Sequence, residues 1–152
     1  MEYIKRSGAE LSFIDRLINL DQTVANQFRA GLRRDLEDLL NTVIRARSFP
    51  DYLGELDHSL VNFGIEDLLT TNLSTASERD RVILYIQKTI EKYEPRLMNI
   101  SIMNISNQEN RSHTLALRIV AETIIDNNPE EIIFNSKIDI STGAVTTNVS
   151  AR

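Results

Sequence analysis

The sequence of 152 residues contains no cysteine, no tryptophan and only two histidines. Without cysteine the chain cannot form disulfides, cysteine-ligated zinc sites, iron–sulfur clusters or thiol nucleophiles. Neither His58 nor His113 has a second histidine at the spacing of a metal site, and Ser59 lies outside any Gly-x-Ser-x-Gly motif. We therefore expect no catalytic residue, no metal and no cofactor.

Clustered positive charge and long apolar runs are also missing. The 22 acidic and 17 basic residues give a formal net charge of −5, whereas binding to a phosphate backbone needs a clustered positive surface. No apolar run approaches the roughly 18 residues of a membrane-spanning helix, and Met1–Gly8 lacks the apolar core of a signal peptide. These features predict a cytoplasmic protein that neither binds nucleic acid nor inserts into a membrane.

Apolar residues recur at helical spacing in three segments of the first part of the chain. The first is a short helix over Leu11–Leu20, and the second, over Val24–Thr42, carries one apolar stripe. Thr75–Glu78 has the pattern of a capping box, so a third helix begins there. Pro95 disfavours helical geometry at Glu94 and helps to end it.

After Pro95 the apolar period changes from three or four residues to two, which is typical of β-strands. Alternating segments begin at Met98, His113 and Ile132, and Val145–Val149 can pair as a fourth short strand. The predicted fold is α+β, with N-terminal helices packed on one face of a three- to four-stranded antiparallel sheet formed by the C-terminal third.

The length and composition, with 41% hydrophobic and 26% charged residues, are typical of one globular domain. We expect residues 1–152 to form this domain. Its predicted parts, in chain order, are an N-terminal helical extension (1–22), a helical part (23–94) and an antiparallel sheet (95–152).

Five short motifs follow one another along the chain. They are Phe13–Leu17, Arg33–Thr42, Asn62–Asp67, Glu94–Leu97 and Ile138–Val145. In this order they resemble the baseplate wedge family of contractile injection machines, which includes the type VI secretion subunit TssE and its counterpart in tailed phages. The most specific is the second motif, whose ten residues are similar to the family's second helix. The fourth resembles the family's Glu-Pro-Arg corner between helix and sheet.

The resemblance implies a structural protein rather than an enzyme. Family members sit in the baseplate wedge and present a sheet on which the contractile sheath begins to polymerise. The resemblance thus implies a baseplate docked at the inner membrane, other wedge proteins and sheath subunits as partners, and no small-molecule substrate. Val43 departs from the family pattern, because an arginine often stands there, and Phe63 and Glu66 replace a tyrosine and a proline. The residues expected to bind partners are Glu94, Pro95, Arg96, Arg33, Arg34, Asn41, Val145, Thr147 and Val149.

Two other functions stay open at this point. Members of the family have carried a lysozyme label, and a glycosidase needs two carboxylates around the sugar, one of them with a raised pKa. The acidic pairs at positions 37–38, 66–67 and 130–131 are candidates, although a solvated charge explains each more simply. The other alternative is a regulatory adaptor that has the same fold and one signalling partner.

Each predicted partner-binding segment also has a simpler explanation. Glu94 and Arg96 can form a local salt bridge, although arginine also offers a planar fork of donors to a partner. Arg33 and Arg34 lie off the apolar stripe, where a solvated helix face is expected. Val145–Val149 is uncharged and has no proline, lysine or bulge to guard an edge, so it is predicted to accept a sheath strand. The simpler explanation is that this tail frays, or that it completes the domain's own sheet with a buried edge.

Overall fold

The computed structural model describes residues 23–44, 51–68, 75–106, 114–125, 127–139 and 141–151, together with Leu11, Ile14 and Leu17. Two α-helices precede four strands. The elements are α1 (Val24–Asn41), α2 (Ala76–Tyr93), β1 (Met98–Asn104), β2 (Thr114–Ile125), β3 (Asn128–Asp139) and β4 (Val145–Ala151). Short 3-10 helices over Asp51–His58 and Leu60–Asn62 connect the α-helices. The α+β prediction is confirmed, whereas most of the predicted helix over Leu11–Leu20 lies outside the described residues.

Both α-helices form where the sequence pattern predicts them. In α1 the apolar stripe, which includes Phe28, Leu32 and Leu36, is buried. The helix α2 begins with a complete capping box: the Thr75 hydroxyl accepts from the Glu78 N–H, and the Glu78 carboxylate accepts from the Thr75 N–H, both at 3.3 Å. These two bonds satisfy amides that would otherwise lack partners at the helix start. Among the described residues, no helix is long and apolar enough to cross a membrane.

The four strands form one antiparallel sheet in the order β1-β2-β3-β4, so β1 and β4 are its edges. β2 and β3 pair without interruption from Thr114↔Asp139 to Ile125↔Asn128. β4 pairs with β3 from Ile138↔Val145 to Ile132↔Ala151, which confirms the predicted fourth strand. By contrast, the pairing of β1 with β2 shifts register between Met98 and Ser101.

One face of the sheet carries the core. Along β2 the odd-numbered residues from Leu115 to Ile125 are buried, while Arg118 and Glu122 point to the opposite, exposed face. α1 packs against β4 and α2 packs against β1, so both helices cover the buried face, as predicted. Each fully buried aliphatic or aromatic side chain here, such as Phe134, contributes about 1.5–3 kcal/mol to folding.

The backbone geometry at position 64 explains why the third sequence motif contains a glycine. The chain returns to the end of α1 through a parallel bridge between Val43 and Ile65, in which the Ile65 N–H donates to the Thr42 carbonyl at 2.8 Å. Gly64 has φ +119°, and a Cβ at this position would lie 2.2 Å from the Thr42 carbonyl oxygen. Only glycine allows both this backbone conformation and this close approach.

Candidate partner-binding surfaces

The Glu94-Pro95-Arg96 corner lies between the end of α2 and the start of β1. The Leu97 N–H donates to the Glu94 carbonyl at 3.1 Å and closes the turn, and the ring of Pro95 is exposed. The carboxylate of Glu94 is buried and accepts from both Nε and Nη2 of Arg96 at 2.5 Å. A buried carboxylate needs such a partner, because water no longer stabilises its charge.

Arg96 also reaches across to α1. Its Nη2 atom donates to Oδ2 of Asp35 at 2.6 Å, and its guanidinium carbon lies 5.9 Å from the centre of the Phe28 ring. Burial on its own lowers the pKa of the Arg96 guanidinium, but the hydrogen bonds and charges of Glu94 and Asp35 outweigh it and raise that pKa above its usual value. Arg96 therefore remains charged and connects the corner to α1.

Arg34 extends this network by one more ion pair, because its Nη2 atom donates to Oδ1 of Asp35 at 3.0 Å. Arg34, Asp35, Glu94 and Arg96 together are called the corner cluster below. Two positions that the sequence places far apart, Arg34 and the Glu-Pro-Arg corner, thus meet in one network. Asp35 links them by accepting from both Arg34 and Arg96. The sequence does not predict this contact, because Asp35 looks like any other charged residue beside the apolar stripe.

Arg33 does not join the corner cluster. It pairs instead with Glu37, one turn further along α1, at 2.7 Å. The two adjacent arginines therefore differ: Arg33 forms a pair within α1, whereas Arg34 belongs to a network that joins α1 to the corner. Within the corner cluster, Nη1 of Arg96 has no partner among the described residues, so it can donate to an acceptor on another protein.

The backbone of β4 forms an uncharged edge of the sheet. Both backbone groups of Val145 point away from β3, since its N–H donates to Oδ1 of Asn41 at 2.8 Å and its carbonyl accepts from Nδ2 of Asn41 at 2.9 Å. In an antiparallel pair every second residue points the same way. The N–H and carbonyl groups of Thr147 and Val149 therefore also point outward, and among the described residues they have no partner.

The side chains of these three β4 residues do not point out of the edge but lie on the buried face of the sheet. Val145 and Thr147 are buried on the helix-covered face, and the Thr147 hydroxyl lies 2.9 Å from the Ser136 hydroxyl. Val149 is partly buried on the same face. If Val145, Thr147 and Val149 bind a partner, Val145 and Thr147 can do so only through the backbone, and the backbone of Val145 is already occupied by Asn41.

The edge formed by β1 is less regular. The register shift between Met98 and Ser101 surrounds Asn99, whose φ is 50°, and Nδ2 of Asn99 donates to the Glu122 carboxylate at 2.6 Å. A bulge of this kind twists an edge and hinders the addition of another strand. The two edges of the sheet thus differ, and β4 is the one better suited to pairing.

A half-open cleft of about 270 Å³ lies between the C-terminal end of α1, residues 65–68 and the turn at 142–144. Its walls carry Glu66 and Asp67, the acidic pair considered for a glycosidase. The other two acidic pairs are not placed like a catalytic pair, because Glu37 is bound to Arg33 and Glu130 to Arg29. Among the described residues, no aromatic side chain lines the cleft and no cluster is placed to hold a metal.

The chain matches the family described as baseplate wedge protein gp25 over residues 26–129. It belongs to this family. The match includes α1 from Asn26 onward, the Asn62–Asp67 motif and the corner cluster, and it confirms the family resemblance. The Phe13–Leu17 and Ile138–Val145 motifs lie outside the matched residues. Membership indicates a structural component of a contractile-tail baseplate and favours a structural protein over an enzyme. Comparison with curated proteins and with solved structures gives no match.

Two residues in or beside the sequence motifs lie close together in the fold. Val43 is bridged to Ile65, and the residue after Ile65 is Glu66. Val43 and Glu66 line the same cleft. In this member of the wedge family the cleft therefore combines an exposed apolar residue with a carboxylate that has no hydrogen bond or ion pair among the described residues.

Proposed function

We propose that the chain is a structural wedge subunit of a type VI secretion system, which docks other wedge proteins and templates assembly of the contractile sheath. It works in the cytoplasm, within a baseplate docked at the inner membrane. Family membership supports the baseplate assignment. The observation that supports the template function is the uncharged β4 edge, where Thr147 and Val149 present outward N–H and carbonyl groups without a partner among the described residues.

Strand addition suits a polymer template for a physical reason. The affinity comes from main-chain hydrogen bonds, each of which contributes a net free energy of about 0.5–1.5 kcal/mol. The side chains on the outer face of β4, such as Thr146 and Asn148, are small, uncharged and exposed, so they do not repel an incoming strand. The template can therefore accept a strand of the first sheath subunit without repulsion by charged side chains.

Docking to other wedge proteins is assigned to the corner cluster. The corner is held rigidly at both the backbone and the side chain of Arg96. The Arg96 carbonyl accepts from the Thr123 hydroxyl at 2.9 Å, and the Arg96 guanidinium donates to the carboxylates of Glu94 and Asp35. Pro95, whose ring is exposed, is followed in the chain by Arg96, whose Nη1 atom has no partner among the described residues. Together they offer an apolar contact and a directed donor, a combination that suits a recognition point.

The β4 template is tested by Thr147→Pro. The N–H of Thr147 points away from β3, so proline removes an outward donor and leaves the β3–β4 ladder intact. A sheath strand that paired here would lose a hydrogen bond and leave its own acceptor unsatisfied, which costs about 1–3 kcal/mol. We expect sheath assembly in cells to fall about tenfold or more while wedge proteins still co-purify with the variant.

Two control variants isolate the outward N–H. Thr147→Val removes the buried hydroxyl contact with Ser136 but keeps the N–H, so it should assemble sheath. Thr146→Pro removes an N–H that faces β3 and should destabilise the chain itself. Normal sheath assembly by a folded Thr147→Pro protein would refute the template function.

A further inference from the structure

The side chain of Asn41 occupies the first outward-facing position of β4. Besides its two bonds to the backbone of Val145, its Nδ2 atom donates to the Glu37 carbonyl in the preceding turn of α1 at 2.9 Å. This third bond fixes the direction of the amide. A primary amide carries an acceptor and two donors on neighbouring atoms, so it reproduces the pair of bonds that a residue of an adjacent strand would make.

Asn41 therefore replaces a neighbouring strand at one position only. The next outward positions, Thr147 and Val149, are open among the described residues. A strand that adds to β4 can bond to both of them, but at Val145 it meets groups that are already paired. Moving the strand two residues further would exchange one pair of bonds for another and give no net gain.

We propose that Asn41 sets the register of the strand that adds to β4 by stopping it at Val145. This inference rests on the proposed template function. The partner segment spans roughly five residues, facing Thr147–Ala151, before it has to end or turn away. Its residues opposite Thr147 and Val149 share the helix-covered face, so small or apolar side chains are expected there, with polar ones between them.

Control of register matters for a template. A slip of one residue turns every side chain of the added strand to the other face. A slip of two residues keeps the faces but moves the attached subunit by about 7 Å along the strand, since each residue rises about 3.4 Å. Because the polymer grows from its first subunit, such a shift would be passed on to the subunits that follow. A fixed stop prevents it.

The test is amide hydrogen exchange of Val145, Thr147 and Val149, in the free chain and in the chain bound to the purified full-length sheath subunit of its own machine. In the unmodified chain we expect slow exchange at Val145 in both states, because Asn41 already holds its N–H. Exchange at Thr147 and Val149 should slow by about tenfold or more only on binding.

In Asn41→Ala we expect fast exchange at Val145 in the free chain and slow exchange there on binding, since the sheath strand can now extend to this position. Asn41 is solvent-exposed, so the variant should fold, and slow amides of β2 report that it has. Asn41→Leu provides a second variant of similar volume without the amide. The matched control is Asn148→Ala, which removes an exposed asparagine on the outer face of β4 and should behave like the unmodified chain.

Two results would count against these ideas, and they are distinguishable. If Val145 stays fast in bound Asn41→Ala and Asn41→Leu while Thr147 and Val149 become slow, the strand adds without reaching the stop, and the register function of Asn41 is overturned. If Thr147 and Val149 stay fast when the unmodified chain binds the sheath subunit, strand addition to β4 fails, and the inference fails with it.

Discussion

Removal of the Arg96 side chain tests whether the corner cluster stabilises the chain. Arg96→Ala leaves the carboxylate of Glu94 without its cation, although Glu94 is only 5% exposed. It also removes one of the two arginine partners of Asp35, leaving Arg34 as the other, and it removes the contact with the Phe28 ring. The side chain of Arg96 is itself 26% exposed, so the corner is buried only in part.

These observations set limits on the free energy of unfolding that Arg96→Ala should lose. Breaking a fully buried ion pair by removing one partner costs about 3–5 kcal/mol. Because water reaches part of this cluster, we expect a loss of about 2–4 kcal/mol in the free energy of unfolding. For a chain of this length, that loss lowers Tm by roughly 5–15 °C.

Differential scanning calorimetry of Arg96→Ala and Arg33→Ala gives the measurement and its control. Arg33 lies on the same helix as Asp35 but forms only a partly exposed pair with Glu37, so Arg33→Ala should cost about 0.3–0.5 kcal/mol. Adding Glu94→Gln to Arg96→Ala removes the uncompensated charge and should recover part of the loss. Equal melting temperatures for Arg96→Ala and Arg33→Ala would refute the expectation that Arg96 stabilises the fold.

The remaining predictions concern the turn, the helix start and the cleft. Gly64→Ala should destabilise the chain by about 2 kcal/mol or more in urea unfolding, because a Cβ there meets the Thr42 carbonyl at a positive φ; an unchanged midpoint would contradict this. Thr75→Ala removes the capping box and should cost about 1 kcal/mol, which circular dichroism on heating would detect as a lower Tm. Purified chain should release no sugar from peptidoglycan, and turnover that disappears in Glu66→Gln would instead support the glycosidase alternative.

Local patterns are enough to predict several elements closely. The capping box marks the start of α2 to the residue, because both of its partners lie within four positions of each other. The apolar stripe of α1 and the alternation along β2 follow from the periods of helix and strand. The ends of the strands are predicted less exactly than the helix start. β2 extends to Ile125, beyond the last apolar residue whose alternation is evident in the sequence.

Contacts between distant positions follow no such local rule. The bulge around Asn99 requires β1 to pair with β2 in a particular register, and no residue in β1 predicts that register. The corner is a similar case. The sequence indicates a salt bridge between Glu94 and Arg96, but the second acceptor of Arg96, Asp35, is 61 positions away.

The sequence by itself determined the two described α-helices, an antiparallel sheet of three to four strands and the family of this protein, because hydrophobic period, capping residues and short motifs are local properties of the chain. Only the tertiary structure decided that Asn41 occupies the first outward position of β4 and that Arg34 joins the corner through Asp35. The physical reason is that hydrogen bonds and ion pairs act over about 3 Å. Which groups come that close is set by the packing of α1 against the sheet.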